Sequence, residues 1–108
     1  MWAVCSKLCV QDADMVIEAA VERLDIKQSI FADLENACRS DCVLSTNTST
    51  INLDLISAKM RNRERVVGAH FFSPAHVMPL LEIVRTDHSS PQVRSLLHCS
   101  ALLCCAAP

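Results

Sequence analysis

An α/β fold on a largely parallel sheet is the class this sequence predicts, and three observations predict it. Short apolar runs at Asp14–Ala19, Cys42–Thr46 and Arg65–Phe71 alternate with segments whose apolar residues recur at three- and four-residue steps. Each run ends in polar residues, at Glu18–Glu22, Thr46–Ser49 and His70–Ser73. Ligands collect beyond the carboxyl ends of strands in such sheets, so these three clusters mark the ligand side. A fourth apolar run, Leu80–Val84, follows two prolines, Pro74 and Pro79.

The elements follow in order. Met15, Val16 and Ile17, entered from an acidic turn, read as a buried strand. From Asp25 a helical stripe of Ile26, Ile30, Phe31, Leu34 and Cys38 takes over. Val43 and Leu44 head a second strand that runs into Asn47-Thr48-Ser49-Thr50. Thr50 is the expected N-cap of a second helix, with Asp54 near its positive end and Ile51, Leu55 and Ile56 as its apolar face. The capping-box position holds Leu53, so that stronger signal is absent. Lys59–Arg63 reads as a solvated basic turn before the third strand. Ser90 and Pro91 have the N-cap and first-turn chemistry of a last helix.

Bulk properties narrow the functions. At 108 residues the chain suffices for one small domain. Half its residues (51%) are hydrophobic, enough to bury a core, and a net charge of −2 gives no reason to expect nucleic acid or an anionic membrane. The apolar tail Ser95–Ala107 is too short for a bilayer span. Seven cysteines, at positions 5, 9, 38, 42, 99, 104 and 105, follow no secretory signal and are expected to be reduced. The pairs Cys5/Cys9 and Cys38/Cys42 have a zinc-like spacing but neither a glycine knuckle nor a histidine ladder, so no metal is expected. Ser6-Lys7-Leu8 is a peroxisomal address only at a C-terminus and is silent near the N-terminus.

The stretch Gly68–Val84 carries the chemistry. If the fourth strand returns beside the third, a turn centred on His76 sets His70 opposite Glu82, with Cβ atoms about 5 Å apart. A carboxylate on one ring nitrogen stabilises an imidazolium, leaving the other nitrogen to accept a proton near neutral pH. Spacing alone leaves open a structural His–Glu pair, or no contact. His76, His88 and His98 read as turn, surface and terminal residues.

Three segments together, ADMVIEAAVERLDIKQSIFADLE, VLSTNTSTINL and RVVGAHFFSPAHVMPLLEIVRT, resemble the 3-hydroxyacyl-CoA dehydrogenases of fatty-acid β-oxidation. The last is most similar to the plant peroxisomal multifunctional proteins. The resemblance spans residues 13–93, between an atypical segment 1–12 and an atypical tail 94–108. It implies the second half of a Rossmann-like doubly wound sheet, incomplete at both ends. It also implies NAD as cofactor, 3-hydroxyacyl-CoA as substrate and a peroxisomal setting, or a cytosolic one if the chain is expressed as written.

By position the resemblance makes His70 the catalytic base and Glu82 its orienting carboxylate. It gives Ser49 to substrate and cofactor, and Asn47 to the same substrate-side turn. Glu22, Lys27 and Ser73 fall on the cofactor side. Two bland alternatives stand beside it: Ser49 as a helix cap and Lys27 as a solvated helix residue. The family's pyrophosphate loop, GxGxxG, is absent, since Gly68 is the sole glycine. The acidic residue for the adenosine ribose is missing too. The expectations are therefore no measurable oxidation by these 108 residues alone, and a half-sheet whose open edge invites self-association or pairing with full-length relatives.

Overall fold

The computed structural model describes residues 9–74, 76–93 and 95. Four strands, β1 (Met15–Glu18), β2 (Val43–Thr46), β3 (Val66–Phe71) and β4 (Leu81–Val84), form one sheet in that order. β1, β2 and β3 run parallel, and β4 returns antiparallel to β3. Helix α1 (Leu24–Ala37) crosses from β1 to β2, and a one-turn helix α2 (Leu53–Ile56) with a 3-10 turn (Ser57–Lys59) leads to β3. This is the α/β arrangement expected.

Period-two alternation explains the burial on both sheet faces. Leu44 and Val66 join Phe31 and Leu34 of α1, Leu53 and Ile56 of α2, and Met60 in one core cluster. Their chain neighbours Val43 and Val67 point the other way and pack with Val93 and Ile83. Both core strands, β2 and β3, are therefore buried on both faces over most of their length, Ser45 and Thr46 included. Residues 91–93 are helical, and the Val93 amide donates to the Ser90 hydroxyl at 3.3 Å, the cap expected there.

Three expectations are corrected. β1 is a strand but not a buried one. It forms a sheet edge, with Met15 and Ile17 36% and 46% exposed, because among the described residues nothing covers that corner of the second face. The N-cap of α2 is Asn52, whose side chain accepts from the Asp54 amide at 2.7 Å, because the Thr50 hydroxyl is spent on Glu22. Consequently the buried face of α2 is Leu53 and Ile56, while Leu55 is half exposed.

Two further features hold the frame. A Cβ on Gly68 would meet the Cβ of Val84, its partner on β4, at 3.0 Å and Leu53 at 3.6 Å. The glycine thus serves the close approach of β4 and α2, not a phosphate loop. Buried Arg65 donates to the carbonyls of Arg39 at 2.6 Å and Glu35 at 3.2 Å, supplying a cation to the helix end where carbonyls lack partners. The tail 96–108, with His98 and three of the seven cysteines, lies outside the described residues, as does Cys5.

Candidate functional site

Three loops meet beyond the carboxyl ends of the parallel strands. The Asn47 amide donates to the Glu18 carbonyl at 2.8 Å, tying β2 to β1. The Asn47 side-chain oxygen accepts from the Phe71 amide at 2.9 Å, tying the same turn to the end of β3. Asn47 is thus the staple that brings the loop of Ser49 beside the strand of His70.

His70 and Glu82 are direct cross-strand partners. The imidazole Nδ1 lies 3.4 Å from a Glu82 carboxylate oxygen. That separation suits charge pairing, yet the alignment is too poor for a hydrogen bond, and Nδ1 is otherwise buried without a partner. Phe72 stacks at a tilt on the ring, with centroids 4.9 Å apart. The His70 side chain is largely covered and Glu82 is half exposed, so the pair sits at the rim. Register follows from the loop: the last ladder bond runs from the Phe72 amide to the Leu80 carbonyl at 3.3 Å, and the turn beyond it carries the two prolines, Pro74 and Pro79.

A second cluster lies at the ends of β1 and β2. Buried Glu18 accepts from the Lys27 ammonium at 2.9 Å on both oxygens and from the Thr46 hydroxyl at 2.7 Å. The Lys27 ammonium also reaches the Ala20 carbonyl and a Glu22 oxygen, each at 3.4 Å. Lys27 is 1% exposed, so the solvated-helix alternative is wrong. It stands in the apolar stripe of α1, in line with Phe31 and Leu34, because a carboxylate waits beneath it. Glu22 in turn accepts from the hydroxyls of Thr48 and Thr50. Those bonds, Thr48 foremost, and the Lys27 charge hold its carboxyl below the ordinary glutamate range against some desolvation.

Ser49 lies between the two threonines. It is exposed and makes no hydrogen bond through its side chain, and Asn52 takes the helix cap, so the capping alternative fails. Ser49, Thr50, Asn52 and Arg85 are among the residues lining an open groove of about 310 Å³, which His70 and Glu82 do not line. Ser73 is exposed in the turn after β3. Among the described residues no three His, Cys, Asp or Glu side chains gather as metal ligands, and no helix is long and apolar enough to cross a membrane. Cys38 and Cys42 lie side by side, and burial followed by that neighbour pushes the Cys42 thiol up to about 11.

Sequence reasoning gave no site role to Glu18, Thr46 or Thr48, and read Thr50 only as a helix cap. One signal was present: a lysine within an apolar stripe calls for a buried partner, and a strand-end glutamate upstream is the nearest candidate.

Comparison with known proteins gives this arrangement a context. Residues 4–100 match the model of a family described as 3-hydroxyacyl-CoA dehydrogenase, NAD binding domain. A peroxisomal fatty acid beta-oxidation multifunctional protein of Oryza sativa subsp. japonica is 60% identical over 82 residues, covering 76% of this chain and 11% of that protein. A probable 3-hydroxyacyl-CoA dehydrogenase of Caenorhabditis elegans is 43% identical over 88 residues, covering 82% of this chain and 30% of that one. The chain thus spans a tenth to a third of the length of these relatives. Among solved structures, 3-hydroxybutyryl-CoA dehydrogenase from Escherichia coli K12 aligns with a TM-score of 0.85 at 42% identity, over 93% of this chain and 21% of that one.

Proposed function

Since this chain belongs to the 3-hydroxyacyl-CoA dehydrogenase family, through its NAD-binding domain, we propose that it serves the oxidation of a 3-hydroxyacyl-CoA to the 3-ketoacyl-CoA. The observation that carries the reading is the His70–Glu82 pair facing each other at the strand ends. Oxidising a secondary alcohol removes a proton from oxygen and a hydride from carbon. His70 takes the proton on the ring nitrogen turned away from Glu82, and the Glu82 carboxylate balances the imidazolium that forms. Ser49, with its hydroxyl unspent, contacts substrate and cofactor, and Asn47 holds the turn that carries it.

The residues present suit the nicotinamide-ribose side of NAD. Glu22 keeps a half-exposed, ionised carboxylate, an acceptor for ribose hydroxyls, at the strand ends where such a ligand lies. When bound, NAD supplies the hydride acceptor. Ser73 belongs to the cofactor side of the same reading. Peroxisomal residence, which the name of the rice relative carries, belongs to it also.

The test is a graft. Residues 13–93 replace their counterpart in the rice multifunctional protein, and NADH formation from a 3-hydroxyacyl-CoA is followed. Turnover within about tenfold of the parent is expected, since 60% of the aligned residues are already shared. A folded graft that makes no NADH would overturn the proposal.

One observation favours a second reading, association without catalysis. β1 is an edge strand with Met15 and Ile17 exposed, a surface that can pair with another sheet. On this reading the 108-residue chain co-elutes with an intact relative in size-exclusion chromatography. Separate elution at every mixing ratio would sink it.

A further inference from the structure

We propose that Cys38 and Cys42 form a reversible oxidation site, in which a peroxide oxidises the Cys38 sulfur and the Cys42 thiol captures it as an intramolecular disulfide. Neither residue takes part in the dehydrogenase reading. Cys42 enters β2 at its amino end, whereas Asn47 and Ser49 follow the carboxyl end of that strand.

The fold holds the two thiols together. Cys38 is the C-cap of α1, its amide donating to the Leu34 carbonyl at 2.9 Å. The chain then reverses in a turn closed by the Cys42 amide on the Arg39 carbonyl at 3.2 Å. Cys42 belongs to the core cluster of Phe31 and Leu34, and Cys38 packs against that same cluster. A helix end on one side and a strand on the other thus fix both sulfurs beside each other.

Their environments divide the labour. Cys38 is partly exposed, so a small oxidant meets it first. Cys42 is fully buried, and its thiol donates to the Val43 carbonyl at 3.6 Å. Burial, and then the neighbouring sulfur, keep that thiol protonated at neutral pH, which suits it to resolve and not to initiate. Arg39 and Arg65 lie close enough to favour negative charge here, and Arg65 is itself buried with no hydrogen bond at its Nε. The thiolate that attacks a peroxide gains from such neighbours.

The chemistry balances. The Cys38 thiolate attacks one oxygen of hydrogen peroxide, the O–O bond breaks, and the departing hydroxide takes up the proton that Cys38 lost. The sulfur of Cys42 then attacks the resulting sulfenic acid. An S–S bond forms, the S–O bond breaks, and the Cys42 proton leaves with hydroxide as a second water. Two thiols are oxidised and one peroxide is reduced. Capture at this stage spares Cys38 the irreversible higher acids, and a dithiol restores both thiols.

The test is mass spectrometry of the full 108-residue chain after hydrogen peroxide, with remaining thiols blocked before digestion. Trypsin cuts after Lys27, Arg39 and Lys59, so the bridge joins peptide Gln28–Arg39 to peptide Ser40–Lys59. This species is expected to exceed every other cysteine pairing by about tenfold or more, since adjacency supplies a high effective concentration, and dithiothreitol separates it. In Cys38→Ser, a change at a partly exposed residue, Cys42 is expected to stay a thiol under the same dose. In Cys42→Ala the sulfenic acid persists on Cys38 and takes up dimedone. A parent that forms no such bridge, or bridges mainly to another cysteine, or carries Cys38 as an unbridged sulfinic or sulfonic acid, would overturn the proposal. Oxidation of Cys42 at the parent's rate in Cys38→Ser would overturn it too, and that arm stands even where the buried Cys42→Ala change prevents folding.

Discussion

Alanine at His70, in the rice protein carrying residues 13–93, lowers 3-hydroxyacyl-CoA turnover by about a hundredfold or more, the usual size of a general-base contribution. The loss falls on kcat, because the imidazole acts on the hydroxyl proton in the transition state and contributes little to holding the acyl-CoA. The effect is local. His70 is a partly exposed residue at the end of β3, packed on Phe72, so its removal leaves both core clusters intact. Glu82→Gln acts in the same direction but more weakly, since amide in place of carboxylate keeps the shape and loses only the charge that faces the imidazolium. Single-turnover kinetics of NADH formation separate chemistry from product release. Normal turnover in the His70→Ala graft would show that another group removes the proton.

The second large effect is on stability. Lys27→Met alone costs about 3–5 kcal/mol in urea unfolding of the 108-residue chain, because it strands Glu18 as a buried charge without its partner. The side chains of the pair are 1% and 3% exposed, so solvent screens neither. A domain of this size has about 5–15 kcal/mol of stability in all, and the single variant therefore sits near or below the threshold of folding. Neutralising Glu18 at the same time restores most of the loss, for the desolvation penalty then disappears with the charge. A Lys27→Met midpoint equal to that of the parent would mean the ammonium is not buried as described.

The sequence made the hairpin legible and the clamp obscure, for one physical reason. His70 and Glu82 sit on consecutive strands, where prolines bound the turn and a period of two fixes which residues oppose. Lys27 and Glu18 are joined only because a helix folds back on the strand before it, and helical periodicity marked the stripe through Ile26 and Phe31 without pricing the lysine inside it. The cap of α2 was misplaced by two residues because Thr50 and Asn52 are both good caps locally; a carboxylate 28 residues upstream chose between them by claiming Thr50. The open edge at β1 was expected from the half-sheet that the resemblance implies, while the exposure of the Met15 and Ile17 side chains was not legible, since which face of a strand is covered depends on what packs there. Ser49 and Lys27 show the converse: family position pointed to both, and only coordinates reveal that one hydroxyl is free while the other cation is fully engaged.

The Arg65 guanidinium has a consequence for assembly. It latches the last turn of α1 from the first residue before β3, across 26 to 30 positions of chain. The helix terminus and the start of the third strand therefore share one restraint, so loosening either weakens the other. One side chain thus ties the strand that carries His70 to the end of a helix far back in the chain. Because the entropy of closing a loop grows only slowly with its length, so distant a tie costs little more than a near one.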